Sequence, residues 1–398
     1  MARNRDTIAR AYFAMLLSLL LIEAFSCNGC TRGSAIKVGA ILALTGPAKS
    51  LGTPEEIALR DFVNQVNSPD VGGIRGRKLE VDIRDSAGNP DRAGTLFRSF
   101  AADPAVIAVI GPTTTGESVN VAPIAEDQHV PLLSLAASSS IVVNPDGSTR
   151  QWVFKFAQND NLAAERILRV MEAEGHHRAA LLWSDDAFGK SGAGVFRTLS
   201  GSYGVELVFV QGFSPQETSF APMVAALPAN LQAAIVWGTS PGPALIVREL
   251  RKARGGMRTY LSHGNASPEF IADAKGAADG VVLVGSKVLV AGQLSKDDRQ
   301  FEVIQRFQKH WTGSHPLQTP SHFGGHAQDA IDFLAQVLSA GASDRISVRN
   351  GLETIGERPG VTGVFHFTPV DHAGLTADSF ALLTVNHSHF VIYEPSAR

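Results

Sequence analysis

A loop rich in hydroxyl side chains is the strongest candidate for chemistry in this chain. Residues 111–118 read GPTTTGES and come close to the phosphate-binding consensus G-x-x-x-x-G-K-[ST]. Glu117 holds the lysine position, and its carboxylate would repel phosphates, so the loop is not expected to bind a nucleotide. Two readings stay open, since hydroxyls and free backbone N–H groups at a helix start suit a neutral or anionic ligand, or form only a solvated helix cap.

A second motif, GTSPG at residues 238–242, matches the G-x-S-x-G elbow of serine esterases. In such enzymes the residue after the serine contributes its backbone N–H to the oxyanion hole. Here Pro241 follows Ser240, and proline has no N–H. We therefore interpret the match as accidental and keep an exported serine esterase using Ser240 only as an alternative function.

Two histidines four residues apart, His322 and His326, could share a metal ion on a helix. The intervening sequence has neither the glutamate of a zinc-protease helix nor a nearby cysteine. We expect solvated or capping histidines, no metal and no cofactor. Trp237, at the end of a predicted strand, is the tryptophan best placed to contact a ligand.

Short apolar runs alternate with amphipathic stretches of helical length through most of the chain. The predicted strands are 36–42, 78–84, 106–110, 131–134, 179–183, 205–210, 233–237, 259–262 and 281–285. Helix starts are predicted at Thr53, with Pro54 in the first turn, and at Asn89-Pro90. Alternating strands and helices indicate an α/β fold with parallel sheets flanked by helices.

The pattern changes twice along the chain. Turn-forming residues near 141–160 precede a restart of the alternation, so a second α/β lobe is predicted at about 158–284. Helical patterns at 296–312 and 321–340 then follow each other without a strand, and 361–393 reads as several short strands. A chain of 398 residues is compatible with two compact domains.

The charge and the cysteines restrict the class of protein. The formal net charge is −3, whereas a nucleic-acid-binding protein needs a basic surface, so no nucleic acid is expected as a partner. Both cysteines lie in the first 30 residues, so no disulfide can cross-link the body of the chain.

The N-terminus has the features of an export signal. Arginines precede a short apolar run, and Ala24 and Ser26 lie three residues and one residue before Cys27. This spacing favours a lipoprotein signal peptide at 1–26, lipidation of Cys27 and a linker at 27–34. Ordinary cleavage is the alternative. A periplasmic or cell-surface protein attached to the membrane by an N-terminal lipid anchor is predicted.

Four segments resemble the Leu/Ile/Val-binding family of periplasmic solute receptors of ABC transporters. They read VGAILALTGPAKSLG, GGIRGRKLEVDIRDSAGNP, VIGPTTTGES and PLLSLAASS. The resemblance implies a type I periplasmic binding protein with three hinge crossings, a small-molecule ligand, an ABC permease as partner and no enzymatic activity. It places one lobe at 35–157 plus 285–362 and the other at 158–284 plus 363–398. A ligand-sensing module without transport is an alternative.

The resemblance also implies ligand-binding positions. In the first lobe they fall at Leu51, Thr115, Ala136 and Ser138, and in the second at Asp160, Phe188, Ser240, His263 and Gly264. Phe188 replaces a tyrosine that is frequent in the family, and Gly264 stands where the family has an acidic partner for the ligand's ammonium.

A buried, unpaired ammonium costs several kcal/mol, whereas micromolar binding is worth only about 8 kcal/mol. Either Asp160 pairs with the ammonium or the ligand lacks one. In the second case the ligand would be an aliphatic or aromatic carboxylate or an amide.

Overall fold

A computed structural model describes residues 34–395. Residues 36–155 contain a parallel five-stranded sheet in the order β2-β1-β3-β4-β5. Its strands are β1 (Ile36–Leu42), β2 (Leu79–Asp85), β3 (Val106–Ile110), β4 (Leu132–Ser134) and β5 (Val153–Lys155). β3 is buried along its whole length, as expected for a parallel strand covered on both faces.

The second sheet has seven strands in the order β14-β13-β10-β9-β8-β6-β7. Its strands are β6 (Arg178–Ser184), β7 (Glu206–Phe213), β8 (Ala233–Trp237), β9 (Arg258–Leu261), β10 (Val282–Ser286), β13 (Phe380–Asn386) and β14 (His389–Ile392). β6 to β10 pair in parallel, and the C-terminal hairpin β13–β14 adds antiparallel strands next to β10. A small hairpin of β11 (Arg358–Pro359) and β12 (Val364–Phe365) precedes it.

Helices connect the strands and cover the sheets. They are α1 (Lys49–Val66), α2 (Pro90–Ala101), α3 (Thr115–Gln128), α4 (Asp160–Glu174), α5 (Ala187–Leu199), α6 (Ala221–Ala225), α7 (Gly242–Ala253), α8 (Pro268–Ala274), α9 (Phe301–Ser314), α10 (His322–Ser339) and α11 (Arg345–Thr354). Within residues 34–395, no helix combines the length and apolar character needed to cross a bilayer.

All nine predicted strands form, with ends displaced by at most a few residues, and β5 was not predicted as a strand. Asn89 caps α2 through a 2.9 Å hydrogen bond from Arg92 N, as predicted. The predicted start of α1 at Thr53 is wrong, because the helix begins at Lys49 and Pro54 lies inside it. A Cβ at Gly52 would come within 2.3 Å of Ala43 O, so only glycine lets the extra turn pack against the end of β1.

The chain passes between the sheets after β5, after β10 and before β13. Side chains at these passages are tied together: Asp329 accepts hydrogen bonds from the backbone N–H groups of Val361 and Thr362 at 2.6 and 2.8 Å. Phe365 and Phe367 pack in the core of the first sheet. The lobe boundaries stay a prediction, and this packing favours a third passage later than residue 362.

Candidate functional site

A cavity of about 410 Å³ lies between the carboxyl ends of the two sheets. This is the edge at which open parallel sheets bind ligands, and the volume suits a small molecule. Residues of both sheets line it, and they comprise Pro47, Ala48, Leu51, Gly88, Pro90, Thr113, Thr114, Thr115, Gly116, Leu135, Ala136, Ala137, Ala157, Ser184, Asp186, Ala187, Phe188, Phe213, Pro215, Gln216, Thr239, Ser240, Pro241, Gly242, His263, Gly264, Phe323 and His326.

Most of the positions named from the sequence line this cavity. They are Leu51, Thr115, Ala136, Phe188, Ser240, His263 and Gly264. Ser138 and Asp160 do not. Ser138 lies outside the cavity, where its Oγ is 2.8 Å from Ser191 Oγ on α5, so it joins the two lobes at the rim.

The hydroxyl-rich loop divides its three threonines between the fold and the cavity. Thr113 Oγ1 donates to Glu55 at 2.5 Å and accepts from Ala43 N at 3.0 Å. Thr114 caps α3 in a capping box with Glu117, whose carboxylate accepts from the Thr114 N–H and hydroxyl groups at 3.0 and 2.6 Å. Among the described residues, no hydrogen bond to the Thr115 hydroxyl is formed. The helix-cap reading is confirmed for Thr114, and the ligand reading stays a prediction for Thr115.

Glu117 itself is enclosed by the fold. It has no exposed surface, and burial raises the pKa of its carboxyl group. A protonated or closely hydrogen-bonded carboxyl group behind the loop serves the capping box, not the cavity. The departure from the phosphate-loop consensus is thus a structural requirement of α3.

Three helices begin at the cavity: α3 at Thr115, α5 at Ala187 and α7 at Gly242. Their first N–H groups and positive dipole ends favour a ligand group that carries negative charge. Asp186 caps α5, accepting at 2.8 Å from Gly189 N and at 2.6 Å from Ser184 Oγ. α3 belongs to the first lobe, whereas α5 and α7 belong to the second, so both lobes offer such groups.

Phe188 and Gly264 share one small volume in the second lobe. A Cβ placed on Gly264 would come within 2.9 Å of Phe188 Cε1, 2.9 Å of Thr239 Cγ2 and 3.0 Å of Gly238 O. The phenylalanine ring thus occupies the space that a side chain at position 264 would need. The two departures from the family pattern are therefore linked, because the Phe188 ring leaves no room for a side chain at position 264.

Histidines form the floor of the cavity. His263 and His326 line it and are 4% and 2% exposed, and His322 lies beneath with no exposed surface. His326 Nε2 is 3.1 Å from Gln158 Oε1, and Gln158 in turn donates to Thr362 O at 2.6 Å. Burial lowers the pKa of His263 and His326 well below the usual range and that of His322 to about 3.

The prediction that His322 and His326 are solvated or capping is wrong. α10 packs its first turn against α1, and a Cβ on Gly324 would come within 3.0 Å of Pro54 O. Gly324 permits this close packing, a Cβ on Gly325 would come within 2.7 Å of Thr362 Cγ2, and the two glycines were the sequence signal for burial. No group of three potential metal ligands is found in residues 34–395.

Asp160 and Lys155 lie fully buried beside this floor. Burial raises the pKa of Asp160 to about 6, against the opposing effect of Lys155, and burial lowers the pKa of Lys155 to about 7. Lys155 Nζ also donates to Ala137 O and Ala157 O at 3.1 and 2.6 Å. Asp160 Oδ1 lies 3.9 Å from His263 Nε2, so Asp160 is behind the floor and does not line the cavity.

Ser240 and Trp237 bear on the remaining alternatives. Ser240 Oγ is buried and makes no hydrogen bond to any residue of the described range, whereas a nucleophilic serine is activated by a neighbouring base. Trp237 is fully buried against Phe188, Phe196 and His263, so it supports the cavity wall from behind.

Comparison with known proteins agrees with this architecture. A family model described as periplasmic binding protein matches residues 35–388. A Leu/Ile/Val-binding protein homologue from Brucella melitensis is 25% identical over 292 residues, covering 71% of this chain and 77% of the relative.

Solved structures show the same two-lobed fold. An extracellular ligand-binding receptor from Rhodopseudomonas palustris HaA2 has a TM-score of 0.82 at 25% identity, covering 91% of this chain and 100% of that one. The branched-chain amino acid transporter substrate-binding protein LivJ from Streptococcus pneumoniae, solved with isoleucine, has a TM-score of 0.77 at 22% identity, covering 89% and 97%. The chain belongs to the periplasmic binding protein family and is of the Leu/Ile/Val-binding type.

Proposed function

We propose that this protein is the extracytoplasmic receptor of an ABC importer and that it binds a small amino-acid-like solute, organic carboxylate or amide between its lobes. The observation that carries the proposal is the cavity at which helices from both sheets begin. A ligand held by α3 on one side and by α5 and α7 on the other would favour the closed arrangement. Closure in turn would present a defined surface to an ABC permease.

The polar groups of the cavity support a carboxylate. Thr115 offers a free hydroxyl beside the N–H groups at the start of α3, and charged acceptors form stronger hydrogen bonds than neutral ones. Leu51 and Leu135 from the first lobe, with Phe188 and Phe213 from the second, supply apolar surface for the rest of the ligand. Such a division into a polar end and an apolar body is typical of small-molecule sites.

A thermal-shift screen of amino acids, 2-oxo acids, aromatic acids and amides tests the proposal. A ligand at a hundred times its dissociation constant stabilises the folded protein by about 2.7 kcal/mol. Small-angle scattering should then show a smaller radius of gyration with that ligand than without it. The variant Ala48→Trp, which fills the cavity, should abolish both effects, and Ala225→Trp on exposed α6 should leave them unchanged.

If no compound raises the melting temperature, or if the radius stays constant with a bound ligand, the receptor function is contradicted. An exported serine esterase would instead turn over a chromogenic ester and lose that activity in Ser240→Ala.

We further propose that Cys27 carries lipid. This position lies outside the described residues, and the support is the Ala24-Phe25-Ser26-Cys27 spacing alone. Wild-type protein should partition with membranes after export, and Cys27→Ser should move to the soluble fraction. A wild-type protein that is wholly soluble after export would favour simple cleavage.

A further inference from the structure

We infer that the ligand is a carboxylate without an ammonium group, and that an uncharged hydrogen-bonding group in the place of the ammonium is bound by His263 and His326. The inference rests on the proposed receptor function and narrows its ligand class. A 2-oxo or 2-hydroxy acid with an apolar side chain has this combination of groups.

The first step concerns negative charge. Asp186 is the one acidic residue among those that line the cavity within the described range, and it is already engaged by Gly189 N and Ser184 Oγ. Asp160, the other acid considered for this role, does not line the cavity and lies behind His263, with its Oδ1 3.9 Å from His263 Nε2. An ammonium at the floor would therefore be separated from the Asp160 carboxylate by the buried His263 ring.

The second step concerns space. The family's acidic position is Gly264, and any side chain there would overlap the Phe188 ring, as the 2.9 Å approach of a Cβ shows. Restoring the acid thus requires removal of the ring. The combination of Gly264 and Phe188 leaves no charged side chain at this position of the cavity wall.

The third step concerns unpaired polar atoms. Both ring nitrogens of His263 and Nδ1 of His326 are buried without a hydrogen-bond partner among the described residues. Buried polar groups in folded proteins are nearly always paired with protein atoms or ordered water, so unpaired ones that line a cavity are available to pair with a ligand group or with water. One histidine belongs to each lobe, since His263 follows β9 and His326 lies on α10.

The protonation of these rings selects the partner. Burial keeps both imidazoles uncharged, so each ring has one N–H donor and one acceptor nitrogen. A hydroxyl or carbonyl group pairs with such rings without a change of charge. An ammonium would also need a compensating anion in direct contact in a water-poor site, and the nearest free carboxylate, that of Asp160, lies behind the His263 ring and not at the cavity surface.

A matched series of ligands tests the inference. Dissociation constants are measured by calorimetry for leucine, 4-methyl-2-oxopentanoate, 2-hydroxy-4-methylpentanoate and 4-methylpentanoate, and for the same four types of compound with a phenyl side chain. In at least one series the oxo or hydroxy acid should bind tenfold or more tightly than the amino acid. The acid without a substituent should fall between them.

The histidine variant His263→Leu should remove the advantage of the oxo or hydroxy acid over the unsubstituted acid. The control His389→Leu, an exposed histidine on β14, should keep it. Equal or tighter binding of the amino acid would overturn the inference, as would an oxo acid preference that survives His263→Leu. In both cases lobe closure would still be seen by scattering, so the receptor function would stand. If no compound of any class binds, the receptor function fails with it.

Discussion

The two walls of the cavity use the same backbone device but differ in their side chains. Both present helix N-termini, through α3 on the first wall and through α5 and α7 on the second. The first wall adds the free hydroxyl of Thr115, whereas the second adds the Phe188 ring and the bare backbone of Gly264. The difference separates two tasks, since the first wall can hold a carboxylate in any ligand, and the second determines what the neighbouring group must be.

The strongest test of this difference between the walls is to introduce an acidic side chain into the second wall. Phe188→Ala combined with Gly264→Asp removes the ring from this space and places a carboxylate at the cavity, where the new Cβ still requires a small shift away from Thr239 Cγ2 at 2.9 Å and Gly238 O at 3.0 Å. Pairing a buried charge or leaving it unpaired differs by about 3–5 kcal/mol, so the affinity ratio of amino acid to 2-oxo acid should rise by about a hundredfold or more. Calorimetric titration of both compounds measures the ratio.

The matched control for that variant is Phe188→Ala with Gly264→Asn, which has nearly the same shape and no charge. Its affinity ratio should stay close to that of Phe188→Ala alone. If the aspartate and asparagine variants behave alike, charge at position 264 does not decide the ligand class, and the second wall has been assigned the wrong task.

On the first wall, Thr115→Val keeps the shape and removes the hydroxyl. A hydrogen bond to a charged acceptor contributes about 1.5–3 kcal/mol, so the affinity for a carboxylate ligand should fall about ten- to a hundredfold. Thr198→Val, on the exposed part of α5, serves as the control. Equal effects at the two positions would mean that Thr115 does not touch the ligand.

Thr114 in the same loop should behave differently. Its hydroxyl caps α3, and loss of an N-cap costs about 1 kcal/mol of stability. Thr114→Val should therefore lower the melting temperature more than the ligand affinity. The neighbours Thr114 and Thr115 thus separate the role of the loop in folding from its proposed role in binding.

The sequence was sufficient for the sheets but not for the cavity floor. Parallel strands buried on both faces are apolar throughout, so their positions are visible as local runs, and all nine were found. The burial of His322 and His326 depends on how closely α10 approaches α1, which is a tertiary property. Local composition assigns histidine to the surface, and only the two intervening glycines indicated otherwise.

The site residues show the same contrast between positions that local sequence patterns specify and positions that depend on tertiary packing. Thr115 lies at the end of the short segment that follows β3, and Ser240 lies in the segment that follows β8, so the end of a predicted strand places them at the correct edge of a sheet. Asp160 and Ser138 depend on the passage between the lobes, whose geometry no local pattern specifies. Their positions outside the cavity could be seen only in three dimensions.

The buried histidines beneath the cavity predict that the folded protein becomes less stable at acidic pH. The folded-state pKa of His322 is about 3, compared with an ordinary value near 6.5, so its contribution to stability is present above about pH 6.5 and is lost as the pH falls. At pH 5 this one residue should lower the free energy of unfolding by about 2 kcal/mol relative to neutral pH, because its ring is protonated in the unfolded chain but not in the folded one.

The variant His322→Leu should remove that part of the pH dependence. It should not destabilise the protein at pH 7, because neither ring nitrogen has a partner among the described residues. Urea unfolding at pH 7 and pH 5 measures both effects, and exposed His389→Leu is the control. An unchanged difference between the two pH values would show that His322 does not titrate as its burial implies.

The smallest expected effect lies at the rim, where the two walls meet. Ser138 and Ser191 are joined across the lobes at 2.8 Å, and a neutral hydrogen bond contributes about 1 kcal/mol. Ser138→Ala and Ser191→Ala should each weaken ligand binding about fivefold through loss of the closed state, and the double variant should weaken it by clearly less than the product of the two single effects, because either single variant already removes the bond between the lobes. If Ser138 binds the ligand directly, its loss should instead weaken binding ten- to a hundredfold while Ser191→Ala has little effect. Calorimetry on the three variants distinguishes a contact between the lobes from a contact with the ligand, and thereby shows whether the first wall ends at Thr115 or extends to the rim.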